Sequence, residues 1–393
     1  MIIGIDKIGF ATSQYVLKME DLADARQTDP AKFKKGLLLD SLSISPITED
    51  IVTLAASAAD DILTEEDKQE IDMVILATES SIDQSKAASI YVHHLMGIQP
   101  FARSIEMKEA CYSGTAALDY ARLHVALHPK SRVLVIASDI AKYGIASSGE
   151  PTQGAGSITM LITENPRILA LNNDNLSQTR DIMDFWRPNY TDTPFVDGLY
   201  STKQYLDSLE TTWKVYQDRE KTDLNHFDAF CFHIPFPKLS LKGLTKLIED
   251  TEALPLQQRD KLLEAFEASI SYNRQIGNIY TGSLYLSFLS LLENSANLKA
   301  GDKIGFFSYG SGAVSEIFSG NLVPGYQQML KKDRQKQLDQ RQLLTVDQYE
   351  RLFYEEASLD DNGDALFNRY LTGKFALVEI KNNQRIYQNN DKR

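Results

Sequence analysis

One feature constrains this chain's fold more than any other: a strand–helix unit that occurs twice. The first copy opens with Ile71-Asp72-Met73-Val74-Ile75-Leu76-Ala77-Thr78-Glu79, the second with Phe227-Asp228-Ala229-Phe230-Cys231-Phe232-His233. Both are short apolar runs suited to strands buried on both faces. One ends in a carboxylate, the other in an imidazole. In the first copy a turn of small residues holding Cys111 leads into a helix with Leu118, Ala121 and Val125 on one face. A buried strand over 132–139 follows, then glycines at Gly154 and Gly156, then strand-like runs over 157–162 and 168–171. In the second copy Gly277-Asn278-Ile279-Tyr280-Thr281-Gly282-Ser283 leads into a helix over 284–292. That helix is apolar nearly all round and so belongs inside. A strand over 304–310, the turn Ser311-Gly312 and a run over 313–318 complete it. Strand–helix alternation predicts parallel strands with right-handed crossovers, and its recurrence predicts a duplicated α/β fold. Ligands of such sheets gather at the carboxyl ends of strands. A pseudo-two-fold packing therefore brings Glu79, Cys111, His233 and Asn278 together between the halves.

The remaining segments attach to this frame. A strand begins the chain, and a helix is expected over 48–63, with Ile51, Leu54, Ala55 and Ala58 on one face. The division is 1–171 for the first half, 172–220 for an insertion, 221–325 for the second half and 326–393 for a C-terminal extension. The insertion holds both tryptophans, Trp186 and Trp213, with Phe185, Tyr190, Phe195, Tyr200, Tyr205 and Tyr216, a composition fit to wall a pocket. The extension shows a capping box at Thr345 to Gln348 and a hairpin joined by Lys381-Asn382-Asn383-Gln384.

Charge and composition exclude several functions. The 41 basic residues face 54 acidic ones, a net charge of −13. Such a chain lacks the overall attraction to phosphate that nucleic-acid or anionic-membrane binding uses. The N-terminus lacks a signal peptide's basic region, and no apolar run reaches spanning length. A cytoplasmic location is expected, and two cysteines suit it. Two cysteines also rule out a disulfide framework. No metal site is expected: His124 and His128 are four apart, without the glutamate of a zinc-protease motif. No GxGxxG or P-loop sequence supports nucleotide use.

The chemistry expected of the four residues is acyl transfer. A thiol at a helix start is drawn toward thiolate by the macrodipole. A strand-end glutamate has its pKa raised by desolvation, which suits it to move protons near neutrality. An imidazole and an amide can polarise a second carbonyl. Lys238 and Lys242, four apart and on one helix face, form a local basic patch for the phosphates of a carrier such as coenzyme A, or else two solvated lysines.

Several runs together carry a family resemblance: Glu109-Ala110-Cys111-Tyr112, Gly154-Ala155-Gly156, Phe185-Trp186-Arg187-Pro188, His233-Ile234-Pro235-Phe236, the run from Gly277 to Ser283, and Phe307-Ser308-Tyr309-Gly310-Ser311-Gly312. The chain resembles 3-hydroxy-3-methylglutaryl-CoA (HMG-CoA) synthases of bacterial type along essentially its whole length. The resemblance implies a thiolase-like, duplicated αβαβα five-layered core and a homodimer. It also implies condensation of acetyl-CoA with acetoacetyl-CoA and water to HMG-CoA and CoA, in the mevalonate route to isoprenoids. The CoA thioesters are substrates, and no cofactor is expected. By the same resemblance Cys111 is acetylated, Glu79 is the general acid/base, and His233 with Asn278 holds the acetoacetyl carbonyl. Backbone N–H groups of Cys111 and Ser308 form the oxyanion hole, and Tyr143 lies near the acetyl group. Asp29, Pro30, Thr152, Ser201, Lys238 and Lys242 line the CoA and acyl path. One departure stands out. Where many relatives read Lys-Phe-x-x-Gly-Leu-Gly-Gln, this chain has Lys32-Phe33-Lys34-Lys35-Gly36-Leu37-Leu38-Leu39-Asp40, which bears on the backbone near Asp29 and Pro30. The alternatives are another thiolase-type condensing enzyme, such as a ketoacyl-carrier-protein synthase that does without Glu79, and a non-catalytic acyl-CoA-binding relative.

Overall fold

The structure, a computed structural model, describes residues 1–191 and 193–392. Asp192, in the insertion, and Arg393, at the end of the extension, lie outside the described residues. Ten strands form one large sheet: β1 (Ile3–Thr12), β2 (Ile71–Ala77), β3 (Arg103–Met107), β4 (Arg132–Ala141), β5 (Gly154–Glu164), β6 (Leu169–Leu171), β7 (Leu176–Thr179), β8 (Ala229–Phe232), β9 (Lys303–Gly310) and β10 (Val314–Leu322). Their order is β8-β9-β10-β6-β1-β5-β4-β2-β3, with β7 also on β10. The pairing repeats about the β6–β1 junction. On one side β2 and β4 are parallel, while β4–β5 and β5–β1 are antiparallel. On the other, β8 and β9 are parallel, while β9–β10 and β10–β6 are antiparallel. The duplication is thus visible strand for strand.

The expected parallel sheet is corrected to a mixed one. Parallel neighbours need a long crossover, commonly a helix. The link from β9 to β10 is only residues 311–313, and residues 142–153 between β4 and β5 carry a single 3₁₀ turn. Those strands return antiparallel.

Side-chain alternation along each strand builds the layers. In β2, Met73, Ile75 and Ala77 face a core shared with Ala117, Leu118, Ala121 and Val125 of α3 (Ser113–Leu127). Val74 and Leu76 face the other way, onto α1 (Ile51–Asp60) and α2 (Ala88–Met96). In β8, Cys231 faces the shared core, while Phe230 and Phe232 face α4 (Gly198–Glu220) and α5 (Pro237–Glu249). Helix α6 (Ser283–Asn294) lies beside α3, and its residues 283–292 are all buried, as its uniform apolarity predicts. Outer helices, one half of the sheet, α3 with α6, the other half of the sheet and outer helices make the five αβαβα layers.

The helix expected over 48–63 is shorter because Asp50 caps it: its carboxylate accepts from the N–H groups of Val52 (3.0 Å) and Thr53 (3.1 Å). Such a cap contributes about 1 kcal/mol. From the insertion, Tyr205, Trp213 and Tyr216 pack under the second half. In the extension, Thr345 and Gln348 form the expected capping box. Phe375–Lys381 and Gln384–Asn389 form the expected hairpin, its turn made by Asn382 and Asn383 at positive φ. Among the described residues, no helix is long and apolar enough to cross a membrane.

Candidate active site

The site lies where the carboxyl ends of β2, β4, β8 and β9 meet the starts of α3 and α6. Cys111 sits in the turn just before α3. Its predecessor Ala110 is at φ +41°, a left-handed conformation that costs a non-glycine residue about 1 kcal/mol and turns the chain sharply before the sulfur. Tyr112 N–H bonds Glu109 O (3.0 Å), and the Ser113 hydroxyl bonds Ala110 O (2.7 Å). The end of β9 presses on this turn. A Cβ on Gly310 would lie 2.6 Å from Tyr112 Cβ and 2.8 Å from Glu109 O, so only glycine fits there.

The Cys111 thiol points at Glu79, with Sγ 2.9 Å from Oε1. Burial, reinforced by Asp139, pushes the Glu79 carboxyl up to about 8, as its strand-end position predicts. The thiolate expected at Cys111 is a correction. Burial first, and then the Glu79 carboxyl beside it, push the thiol well above its ordinary value. The helix-start effect is a fraction of a charge, and it loses to desolvation plus a neighbouring carboxylate. Near neutrality the sulfur therefore keeps its proton, and most of Glu79 is protonated beside it. The other cysteine, Cys231, is buried in the core and pushed up to about 12, an inert thiol.

Asn278 is oriented by its own loop. Its Oδ1 accepts from Tyr280 N–H (2.9 Å) and the Ser283 hydroxyl (2.8 Å), so its Nδ2 is left to donate to the Tyr143 hydroxyl (3.0 Å). Gly277, at φ +85°, makes the approach possible: a Cβ there would lie 1.9 Å from Gln153 O. This contact also explains why residues 154–156, expected as a turn, are strand. They run straight beneath the Asn278 loop, whose N–H bonds Thr152 O (3.1 Å). The Tyr143 ring meets those of Phe185 and Tyr280 edge-on, each at 5.9 Å. Phe185 thus brings the insertion to the site.

His233 follows β8 and is tied to β9 by its N–H on Phe307 O (2.7 Å). Its carbonyl accepts from the Tyr205 hydroxyl at 2.8 Å and that of Ser240 at 3.0 Å. Desolvation lowers its imidazole to about 3, so the ring is neutral at physiological pH. Ser308, the residue after Phe307, accepts from the Thr115 hydroxyl at 2.8 Å, four residues along from Cys111.

Direct contacts therefore join Glu79 to Cys111 and Tyr143 to Asn278, and His233 and Ser308 adjoin on paired strands. Of the expected CoA-path residues, Thr152 touches the Asn278 loop. Asp29 accepts from Ala31 N–H (2.9 Å), and Pro30 begins the short helix Ala31–Lys34. Lys238 N–H bonds Leu37 O (3.1 Å). Among the described residues, Ser201 and Lys242 make no side-chain hydrogen bond or ion pair with the central groups.

Sequence reasoning missed two residues. Buried Asp139 accepts from the hydroxyls of Thr78 and Ser80 (2.8 Å each), Glu79 N–H (2.9 Å), Thr281 N–H (3.1 Å) and the Thr281 hydroxyl. It clamps Glu79 in the first half to the Asn278 loop of the second. Its signal was a second carboxylate at a strand end beside Glu79's. Arg187 donates to Glu79 O, and its charge draws the Glu79 pKa down. It lies in a segment whose contacts no periodicity reveals.

A buried thiol with a carboxyl against it, at the meeting of two thiolase-like halves, is an arrangement that suits an acyl-condensing transferase. Comparison with known proteins narrows the class. Family profiles described as hydroxymethylglutaryl-coenzyme A synthase N terminal and C terminal match residues 2–167 and residues 175–268 with 256–362. A hydroxymethylglutaryl-CoA synthase of Enterococcus faecalis is 51% identical over 391 residues, covering 99% of this chain and 100% of that one. A polyketide-biosynthesis 3-hydroxy-3-methylglutaryl-ACP synthase of Bacillus subtilis is 32% identical over 89% of this chain and 87% of its own length. A crystal structure of an HMG-CoA synthase complexed with CoA superposes with a TM-score of 0.97 at 65% identity, covering 99% of this chain and 100% of that one. The chain belongs to the hydroxymethylglutaryl-CoA synthase family.

Proposed function

We propose that this protein condenses acetyl-CoA with acetoacetyl-CoA and water to give HMG-CoA and free CoA, through an acetyl-Cys111 thioester. The observation that carries the reading is the 2.9 Å contact between Cys111 Sγ and Glu79 Oε1. It sets the acyl carrier against the group that moves protons. In the first step sulfur attacks the acetyl thioester carbonyl and the C–S bond to CoA breaks. The proton given up by the Cys111 thiol ends on the departing CoA sulfur. Backbone N–H groups of Cys111 and Ser308 hold the oxyanion. In the second, Glu79 as carboxylate takes a methyl proton from acetyl-Cys111. The carbon attacks the ketone of acetoacetyl-CoA, and Glu79 returns the proton to the new alkoxide. His233, neutral, donates a hydrogen bond to that ketone rather than a full charge. Asn278 Nδ2, its Oδ1 already engaged, assists, and Tyr143 closes on the acetyl group. Water then cleaves the thioester and restores the thiol.

Asp29, Pro30, Thr152, Ser201, Lys238 and Lys242 are proposed to line the CoA and acyl path. In support, Lys238 and Lys242 have no carboxylate partner among the described residues and lie on α5, the helix that follows His233. The four-part division at residues 171, 220 and 325, a homodimer, a cytoplasmic location and a place in the mevalonate route complete the reading, and family membership supports them.

Mass spectrometry after mixing with acetyl-CoA tests it. Wild type should carry one acetyl group on Cys111, and Cys111→Ser none. Thiol release should rise when acetoacetyl-CoA is added. An unmodified Cys111, or release indifferent to acetoacetyl-CoA, would refute the mechanism.

A further inference from the structure

The residue after Cys111 is held by a buried carboxylate that the acyl chemistry does not use. Glu316, in β10, is 4% exposed. Its Oε2 accepts from the Tyr112 hydroxyl at 2.6 Å and its Oε1 from Asn175 Nδ2 at 2.5 Å. Among the described residues it forms no ion pair: Arg122, whose charge it feels, pairs with Asp119 at 2.7 Å. Burying a carboxylate is unfavourable unless donors hold it. A phenol and an amide do so here, at the short lengths of charge-assisted bonds. Burial, and then the Glu316 carboxylate, push the Tyr112 phenol well above its ordinary range, so it remains a donor.

The place of Glu316 in the sheet gives this bond its consequence. Glu316 stands opposite Ser308 in the β9–β10 register, so the two side chains share a face. Both reach the start of α3. The Ser308 hydroxyl accepts from that of Thr115 at 2.8 Å, and the Tyr285 hydroxyl of α6 stands 2.8 Å behind Thr115. Tyr112 is gripped at its backbone as well, because a Cβ on Gly310 of β9 would lie 2.7 Å from its nitrogen. Two ties, Tyr112–Glu316 and Thr115–Ser308, therefore cross one gap between the halves. On one side is the turn that carries Cys111, on the other the strand pair that carries Ser308. We propose that Glu316 is a positioning residue: through Tyr112 it fixes the spacing of the Cys111 and Ser308 backbone N–H groups that receive the acetyl oxyanion, an inference that rests on the acetyl-transfer reading above. Oxyanion donors act at about 2.7–3.1 Å from the oxygen, and a misplacement of about 1 Å in such a site lowers the rate about a hundredfold. Losing one tie of two leaves the other in place, so the loss is smaller.

The test measures how fast acetyl-CoA acetylates Cys111, by rapid-quench mass spectrometry over a range of acetyl-CoA concentrations. Tyr112→Phe, which removes only the phenol oxygen, and Glu316→Ala should each lower the limiting rate about tenfold and leave the half-saturating concentration unchanged. The double variant should be no slower than Glu316→Ala alone, since both changes break the same tie. Glu316→Gln should recover most of the rate, because its amide still bonds the phenol. A merely structural role would lower the urea midpoint of Glu316→Ala and leave the limiting rate of the folded enzyme at the wild-type value, and that result would overturn the proposal. So would additive losses in the double variant, or a Glu316→Gln enzyme as slow as Glu316→Ala. If Glu316→Ala does not fold, the limiting rate of Tyr112→Phe decides, a wild-type value overturning the proposal. An unmodified Cys111 in wild type would instead refute the acetyl-transfer reading itself.

Discussion

At the scale of single residues, the proposed roles of Cys111 and Glu79 give the reaction a definite pH behaviour. Glu79 must be ionised to take the methyl proton, and its pKa near 8 leaves most of it protonated at pH 6. The condensation rate should therefore rise roughly tenfold per pH unit below about 8 and level off above it. A pH–rate profile measured from pre-acetylated enzyme checks this. Glu79→Gln should keep the acetyl adduct on Cys111, lower condensation by about 10²–10⁴-fold and flatten the profile. Intact condensation in that variant would instead favour a ketoacyl-synthase mechanism, which does not use the glutamate. Asp139 acts through Glu79. Its charge is the second cause of the raised pKa, after burial. Asp139→Asn should thus move the rate profile toward acid while slowing turnover, since the clamp on Glu79 N–H and Thr281 is weakened. A slower enzyme with an unmoved profile would leave Asp139 a purely structural role.

At the scale of elements, strand-end and helix-start positions were legible because periodicity marks where buried runs stop. Glu79, His233, Cys111 and Asn278 all came from that signal. Strand direction was not legible, because it depends on whether a link carries a helix. The thiol's protonation was missed for a related reason: only the fold puts Glu79 Oε1 at 2.9 Å from the sulfur. The altered segment after Gly36 is a third case. Leu38, at the place of the second glycine in the Lys-Phe-x-x-Gly-Leu-Gly-Gln pattern, sits at φ +62°, so the chain keeps a glycine-like turn without the glycine. The turn is held from outside. Lys238 N–H bonds Leu37 O, Asp40 N–H bonds Arg274 O (2.7 Å), and Leu39 is buried. Leu38→Gly relieves a left-handed strain of about 1 kcal/mol but gives up half-buried packing and adds unfolded-chain entropy. It should cost no more than about 1 kcal/mol in urea unfolding, while Leu39→Gly, in ordinary buried packing, should cost about 3 kcal/mol or more. Equal losses at the two positions would mean that the strain at Leu38 carries no weight.

Across the whole molecule, the perturbed buried groups make stability depend on pH in a definite direction. Glu49 and Glu79 have folded pKa values near 7 and 8, above the ordinary value of 4.5. The folded state therefore binds more protons than the unfolded one from about pH 4.5 upward, and stability falls as pH rises to about 8. His233 opposes this over part of the range. Its folded pKa near 3 lies below the ordinary 6.5, so the unfolded state takes up the proton and stability rises with pH until about 6.5. The two trends offset each other below pH 6.5, and only the carboxyls act above it. Asp67, whose pKa is lowered below 3.8 through Lys7 and the Thr64 cap despite an opposing desolvation, loses its contribution only in strong acid, outside this window. Between pH 6.5 and 8 the two glutamates should together remove on the order of 2 kcal/mol of stability. The urea midpoint of wild type should drop across that interval. Glu49→Gln should remove the early part of the drop, Glu79→Gln most of the rest, and the double variant should be nearly level. A wild-type midpoint that stays flat or climbs from pH 6.5 to 8 would show that these carboxyls are not held protonated by burial, and would remove the basis for Glu79 as a proton carrier near neutrality.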